Sequence, residues 1–279
     1  MSVGAVVVTY NSRGCIEACV AGLLASPAIA QVVVVDNAST DGTIEALDPR
    51  VTVVALDRNA GFGAAANIGA AKVTAPFIAF VNPDATVSPG PIETLLETLR
   101  ADRSVWAVGP ALLNGRGVRE YSARGYPSEW STLFNRRYLD MFPRSRNAEL
   151  ARFLNLGHDL DAVFETDWLS GALFVIAADD FRAAGGFDER YFMYYEDADL
   201  FRRRPPGRRV LFVGAAVATH AIGGSSRRVP FRAGAWRVAS SWRYYRRHAR
   251  RGLGTDLRYL LATAAGVFLE VIALFRRRA

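Results

Sequence analysis

The chain has 279 residues, 51% of them hydrophobic and 22% charged, a composition that excludes a disordered or fibrous protein and allows one large domain or two small ones. The formal charge of +7 is uneven: residues 201–279 hold 18 Arg against Asp256 and Glu270, a net of +16, and residues 1–200 carry a net of −9. Two cysteines, Cys15 and Cys19, exclude a disulfide framework and a Cys-based zinc site, and their spacing of four suits packing on one helical face. The start, MSVGAVVVTYN, has no basic segment ahead of its apolar run, so no export signal and a reducing cytoplasm are expected.

In chain order, VGAVVV (3–8) and QVVVVD (31–36) are β-branched, apolar runs that predict buried parallel strands, and VTVVAL (51–56) and PFIAFV (76–81) predict a third and a fourth strand. Helices are expected between them over 13–25, Thr40–Leu47 and Gly63–Lys72, with another over 91–103. This alternation predicts βαβ units and a parallel sheet covered on both faces. The stretch 114–165 is aromatic, Arg-containing and weakly periodic, and reads as a variable region over the crevice. Beyond it, ALFVIA (172–177) predicts a strand and RVLFVGAAVATH (209–220) one or two more, separated by a helix over 196–204 and a Pro205-Pro206-Gly207 turn.

A polar cluster follows each early strand: Thr9-Tyr10-Asn11, Asp36 to Ser39, Asp57 to Asn59, and Asn82-Pro83-Asp84. Ligands bind outside the carboxyl ends of such strands, so these tips should share one crevice. In DNASTDG (36–42) a turn explains Ser39 to Asp41 and gives Asp36 no task, whereas a carboxylate at a strand tip suits a pyrimidine imide N–H. GFGAAA (61–66) satisfies a dinucleotide-binding pattern, but it follows the third strand, and a glycine-rich approach to any diphosphate would look the same. Asp84 is a strand-end carboxylate able to hold a hard divalent cation, with His220 a second ligand at the end of another strand. Ser225, Arg227 and Arg228 follow it in a small-residue and Arg segment suited to phosphate oxygens. In FDERYFMYYEDADL (187–200) acids lie among aromatics, and a helix start there would aim Asp197 into a crevice as a general base.

Taken in order, VVVTYNS (6–12), VVDNASTDGT (34–43), RNAGFGAAANIG (58–69), NPD (82–84), WLSGALF (168–174), GGFDERYFMYYEDADL (185–200) and HAIGGSS (220–226) resemble the motifs of the family-2 glycosyltransferases. These are inverting enzymes of the GT-A fold, and the nearest likeness is to bacterial rhamnosyltransferase-like members. The resemblance runs from Val3 to about Arg228 and displaces the dinucleotide reading. It implies a Rossmann-like α/β fold, a mostly parallel sheet with helices on both faces. It also implies that Thr9, Tyr10, Asn11, Asp36, Asn59, Gly61, Asn67 and Asn82 hold the nucleotide, and that Asp84 and His220 bind Mg2+ or Mn2+ on its diphosphate. By the same likeness Trp168, Ser170, Gly171, Ala172 and Glu196 border the donor sugar and acceptor, and Asp197 is the catalytic base. Two positions depart from the family pattern: Asn82 stands where many relatives have an acid, and Pro205-Pro206 should end the preceding helix early.

The expected organisation is a catalytic domain over 1–228 and a helical segment over 229–279. The domain divides into a nucleotide half (1–90) and an acceptor half (91–228). In the tail, Val238, Trp242 and Tyr245 make one helical face apolar while seven Arg populate 231–251, and Leu257–Phe275 is apolar apart from Arg258 and Glu270. That run favours a helix lying in an anionic membrane interface over one that spans it or packs on the core or in a homodimer, and it argues against nucleic acid. The expected enzyme works peripherally on the inner face of a bacterial plasma membrane, in cell-wall or surface polysaccharide synthesis. It moves L-rhamnose from a dTDP donor to a polyprenyl-diphosphate-linked glycan. The alternatives are a UDP-hexose or galactofuranose donor, or a non-catalytic nucleotide-sugar binder whose basic tail recruits a partner.

Overall fold

The computed structural model describes residues 2–130, 148–221, 230–249 and 252–275. The β-branched runs near the start form β1 (Val3–Thr9), β2 (Ile29–Asp36), β3 (Thr52–Ala55) and β4 (Phe77–Val81), with α1 (Ile16–Ala25) and α2 (Phe62–Lys72) in the connections. The helix expected over Thr40–Leu47 is a single 3-10 turn, Ile44–Ala46. Asp41 there accepts hydrogen bonds from both the amide and the hydroxyl of Thr43, which ties the preceding residues into a turn.

Then come β5 (Ala85–Thr86), α3 (Pro91–Ala101), β6 (Val105–Leu113), β7 (Ala123–Arg124), α4 (Ala148–Phe153), β8 (Val163–Glu165), β9 (Trp168–Leu169), β10 (Leu173–Ala177), α5 (Ala178–Ala183), α6 (Glu196–Arg202) and β11 (Arg209–His220). The main sheet has the order β3-β2-β1-β4-β10-β6-β11-β5, and β8 pairs with β11. β1, β2, β3, β4, β6 and β11 share one direction, while β10 runs antiparallel between β4 and β6. The sheet is therefore mostly parallel, as expected, with an inverted strand at its middle. β6 was not anticipated, although it occupies an interior position.

Alternate residues of the strands build two cores. Val6, Val8, Val33, Val35, Ile78 and Phe80 face α2 and an aromatic cluster with Trp106, Phe174, Phe187 and Phe201. Val3, Ala5, Val7, Val32, Val34 and Ala79 face α1 and α3. Phe80, Phe174, Phe181 and Phe187 stack mostly edge-on at 4.8–6.4 Å, so the segment leading into α6 is anchored to the sheet by ring packing. α6 ends at Arg202, shortly before Pro205 and Pro206, as the double proline requires.

The tail forms α7 (Pro230–His248) and α8 (Leu253–Phe275). Trp242 and Tyr245, on the expected apolar face of α7, pack on Tyr259 of α8 with ring centroids 5.4 and 4.4 Å apart. Tyr244 is buried as well, against Tyr195 just ahead of α6. On α8, Tyr259 and Ala262 are buried, whereas Leu253, Leu257, Leu260, Leu261, Val267 and Phe268 are exposed along one side. Among the described residues no helix is long and apolar enough to cross a membrane.

Candidate active site

Thr9, Asp36 and Ala55 are in register at the ends of β1, β2 and β3, so the first three polar clusters meet at one edge of the sheet. Asp36 is buried, and its carboxylate accepts from the amide and hydroxyl of Ser39 at 2.8 and 2.5 Å. The turn therefore does give Asp36 a task, contrary to the expectation. Asn11, with φ of 50°, joins the same turn: its amide donates to Ser39 Oγ and its Oδ1 accepts from the Thr40 amide. Thr9 is buried with its hydroxyl unpartnered among the described residues, and Tyr10 is exposed at the rim. Asn37, to which no role was given, bridges two tips: its amide donates to Gly61 O, and its Oδ1 accepts from the Ala60 amide.

Asn59 shapes the glycine turn by accepting from the Gly61 amide at 3.0 Å. Gly61 has φ of +88°, and a Cβ there would fall 2.4 Å from Phe192 O, while the next amide, Phe62 N, donates to that same oxygen at 3.0 Å. A glycine is required because two loops touch here. Asn67 does not turn its amide toward the strand tips: it donates to Phe187 O and Glu189, and accepts from the Phe187 amide at 2.9 Å. It clamps the start of the 187–200 motif. Gly186, at φ of +65°, leaves the room this needs, since a Cβ would sit 2.6 Å from Asn67 Oδ1.

The end of β11 brings His220 to the Asn82-Pro83-Asp84 turn. His220 Nε2 lies 3.2 Å from Asp84 Oδ1 and 3.4 Å from Asn82 Nδ2, and Nδ1 lies 3.3 Å from Glu120 Oε2. Burial disfavours the charged ring, but the hydrogen bonds to Asp84 and Glu120 outweigh it and push the pKa from 6.5 up to about 9. Glu120 lies 100 positions from His220 in an aperiodic stretch, and no local signal marked it. Among the described residues no group of three or more His, Cys, Asp or Glu side chains makes a complete metal cluster. One carboxylate beside one imidazole nitrogen, with a second carboxylate behind the ring, still fits a divalent cation whose other ligands are phosphate and water oxygens.

Asp197 stands at the start of α6, half-buried, with Oδ2 accepting from the Gly171 amide at 3.1 Å and Oδ1 from the Ala198 amide at 2.8 Å. Burial raises its pKa, against these two amides and the nearby Arg124 guanidinium. Glu196 is buried with Oε2 unpartnered among the described residues, and burial, then the charge of Asp197, holds its carboxyl well above the carboxylate range. The two neighbours thus differ: Glu196 holds its proton strongly, and Asp197 is the better poised acceptor. The Asn82 amide donates to Ala172 O, so a backbone path joins Asp197, Gly171, Ala172 and Asn82 to the Asp84–His220 pair.

Ser170 is tied to Ser122 O by its amide and accepts from the Ala172 amide through Oγ. Trp168 and Ala172 are buried in the two cores rather than presented to the crevice, and Trp168 donates its indole N–H to Gly125 O. Arg124, also without a prior role, stacks its guanidinium 5.4 Å from the Trp168 ring. Ser225, Arg227 and Arg228 lie outside the described residues.

The fold is GT-A, the architecture of glycosyltransferases with a nucleotide crevice at the strand tips. A mannosyltransferase from Pyrobaculum calidifontis, solved with GDP-Man and Mn2+, superposes with a TM-score of 0.58 at 17% identity, over 99% of this chain and 74% of that one. The profile of Glycosyl transferase family 2 matches residues 5–150. An N-acetylglucosaminyl-diphospho-decaprenol L-rhamnosyltransferase of Mycobacterium tuberculosis (strain H37Rv) is 32% identical over 210 residues, covering 70% of this chain and 67% of that one. Rhamnosyltransferase WbbL of Escherichia coli (strain K12) is 26% identical over 196 residues, 67% of this chain and 70% of that one. The chain belongs to glycosyl transferase family 2, and its activity is glycosyl transfer.

Proposed function

We propose that the protein transfers L-rhamnose from a dTDP-linked donor to a hydroxyl of a polyprenyl-diphosphate-linked glycan, with inversion at the anomeric carbon. The observation that carries the chemistry is Asp197: a half-buried carboxylate of raised pKa, fixed by two amides beside the crevice. The sugar rests on the two rhamnosyltransferases just described, and the acceptor class on the first of them.

Asp197 takes the proton of the acceptor hydroxyl as its oxygen attacks the anomeric carbon. The bond from that carbon to the donor diphosphate breaks, and the nucleoside diphosphate leaves with the electron pair. Attack from the face opposite the leaving group inverts the centre, and no covalent enzyme intermediate forms. Asp84 and His220 would hold Mg2+ or Mn2+, which when bound supplies positive charge to the diphosphate. Glu120 orients the His220 ring. Thr9, its hydroxyl unpartnered among the described residues, and the Asn11–Asp36–Ser39 turn form the floor on which base and ribose lie.

The exposed apolar row of α8 rests in an anionic membrane interface, so the enzyme works at the surface that holds its lipid-linked acceptor. The test is transfer from dTDP-rhamnose, UDP-galactofuranose and UDP-hexoses to a polyprenyl-diphosphate-GlcNAc acceptor, with and without Mg2+ or Mn2+. Rhamnosyl product of inverted configuration, lost in Asp197→Asn and Asp84→Ala, is expected. Full transfer by both variants refutes the mechanism. Flotation with anionic vesicles tests the surface: protein that stays in solution as a dimer refutes it.

A further inference from the structure

Tyr194 and Tyr195 both lie in the left-handed region, with φ of 70° and 67°, immediately before Glu196 and Asp197. Two consecutive non-glycine residues there carry a steric penalty and persist only where their surroundings hold them. On one side the hold is the contact of Phe62 N with Phe192 O. On the other it is α7. Ser240 Oγ donates to Met193 O at 2.8 Å, Arg243 donates to Arg190 O, and the Arg237 guanidinium lies 5.0 Å over the Tyr194 ring. Trp236 packs on Phe192, and Tyr244 on Tyr195. Past the base, Asp199 is fully buried, and α7 reaches it twice, through His248 Nε2 at 2.7 Å and Arg247 at 3.3 Å. Helix α7 thus grips the chain on both sides of Asp197, at Met193 and at Asp199.

We propose that α7 is a positioning element of the catalytic site: Ser240, Tyr244, Arg247 and His248 hold the Tyr194–Tyr195 turn and so set the direction from which Asp197 meets the acceptor hydroxyl. This rests on the reading of Asp197 as the base. None of these side chains needs to touch substrate. They act through a loop whose other wall is the glycine turn at Gly61, so a donor bound by the strand tips meets a base whose placement comes from the tail. The Arg and aromatic residues of α7 are in this light an intramolecular docking surface, matched to backbone carbonyls, Tyr rings and the acids Asp188 and Asp199.

The experiment uses the full chain with point variants, because removing 229–279 would uncover Tyr191 and Asp199 and test folding instead. Ser240→Ala and His248→Ala should each lower kcat about five- to tenfold, the worth of one lost hydrogen bond expressed at the base. The donor KM and the Kd for dTDP, measured calorimetrically, should stay within about twofold. Ser240→Thr, which keeps the hydroxyl, should restore kcat. Tyr194→Gly added to Ser240→Ala should recover part of it, because glycine adopts the left-handed conformation without the penalty. A merely structural role predicts kcat and dTDP affinity falling together and no recovery with glycine, and either result overturns the proposal. Wild-type kcat in both alanine variants overturns it too. Asp197→Asn, run alongside, separates the two failures: if it is inactive while the α7 variants are normal, only the role of α7 is wrong. If it transfers normally, the base itself is misassigned.

Discussion

Replacing Gly61 by Ala is a sharp test of how the two halves of the catalytic body meet. The new Cβ would fall 2.4 Å from Phe192 O and 3.0 Å from Phe192 C and Cα. Carbon needs roughly 3.5 Å from such neighbours, so the loops must part by about 1 Å. Ala at φ of +88° adds about 1–2 kcal/mol of left-handed strain. Parting the loops loses the Phe62 N–H to Phe192 O hydrogen bond, about 1 kcal/mol more. The sum, about 2–3 kcal/mol, corresponds to a fall in Tm on the order of 3–5 °C for a chain of this size. A displacement of about 1 Å transmitted to Asp197 should cost kcat about a hundredfold. Thermal melts, kcat, donor KM and dTDP calorimetry read all of this on one preparation. A Gly61→Ala variant with normal Tm and kcat but weakened dTDP binding would refute the loop-contact account and return Gly61 to a diphosphate-binding role.

The remaining predictions concern charge. As the proposed base Asp197 must be deprotonated, and its pKa is raised, so kcat should fall as pH drops through a value above the ordinary Asp range. Asp197→Asn should lower kcat by about 10²- to 10⁴-fold, measured as product formation at saturating donor. Asp199 has a lowered pKa: burial raises it, but the hydrogen bond from His248 and the Arg203 guanidinium more than compensate. Its contribution to stability is present above the unfolded Asp pKa and lost as pH falls through the lower folded value. In Asp199→Asn, acid melting curves should lose that part of their slope. Glu120→Gln should weaken Mn2+ binding about 10- to 100-fold, read by Mn2+ electron paramagnetic resonance without substrate, and unchanged affinity would remove Glu120 from the His220 assembly.

β1, β2 and β4 were legible as apolar runs rich in Val, Ile and Phe with mostly buried residues, and β3 was legible from its Val pair although it is half-buried to exposed. β6 escaped because Gly109 and Pro110 interrupt VWAVGPALL, and proline is rare inside a sheet. The structure accommodates it: Val213 of β11 pairs with Pro110, and the register then shifts to Val217, so β11 bends where its neighbour lacks a donor. The positions of Asp84, His220 and Asp197 at strand ends and a helix start were legible from the element pattern. Glu120 and Arg124 were not, since only tertiary contact brings them to His220 and Asp197. Asn67 and Trp168 show the converse: each sits in a motif of the site, yet its polar atoms are engaged in holding that site together. The tail was legible as an amphipathic helix pair, but its pattern does not distinguish an acidic protein surface from an anionic lipid one, and α7 uses the former.

The pairing of Arg247 with Asp188 and Asp199, and of Arg258 with Glu129, bears on what the two opposite charge excesses do. Arg203, Arg208 and Arg209 likewise meet Asp199, Asp180, Asp102 and Glu165. These pairs, among the described residues, tie five arginines after residue 200 to acids before it, inside a single molecule. The outward field is correspondingly smaller than a count of arginines implies. Added salt therefore acts at two places at once, screening the tail from whatever it approaches and loosening the seam by which the tail is joined to its own enzyme.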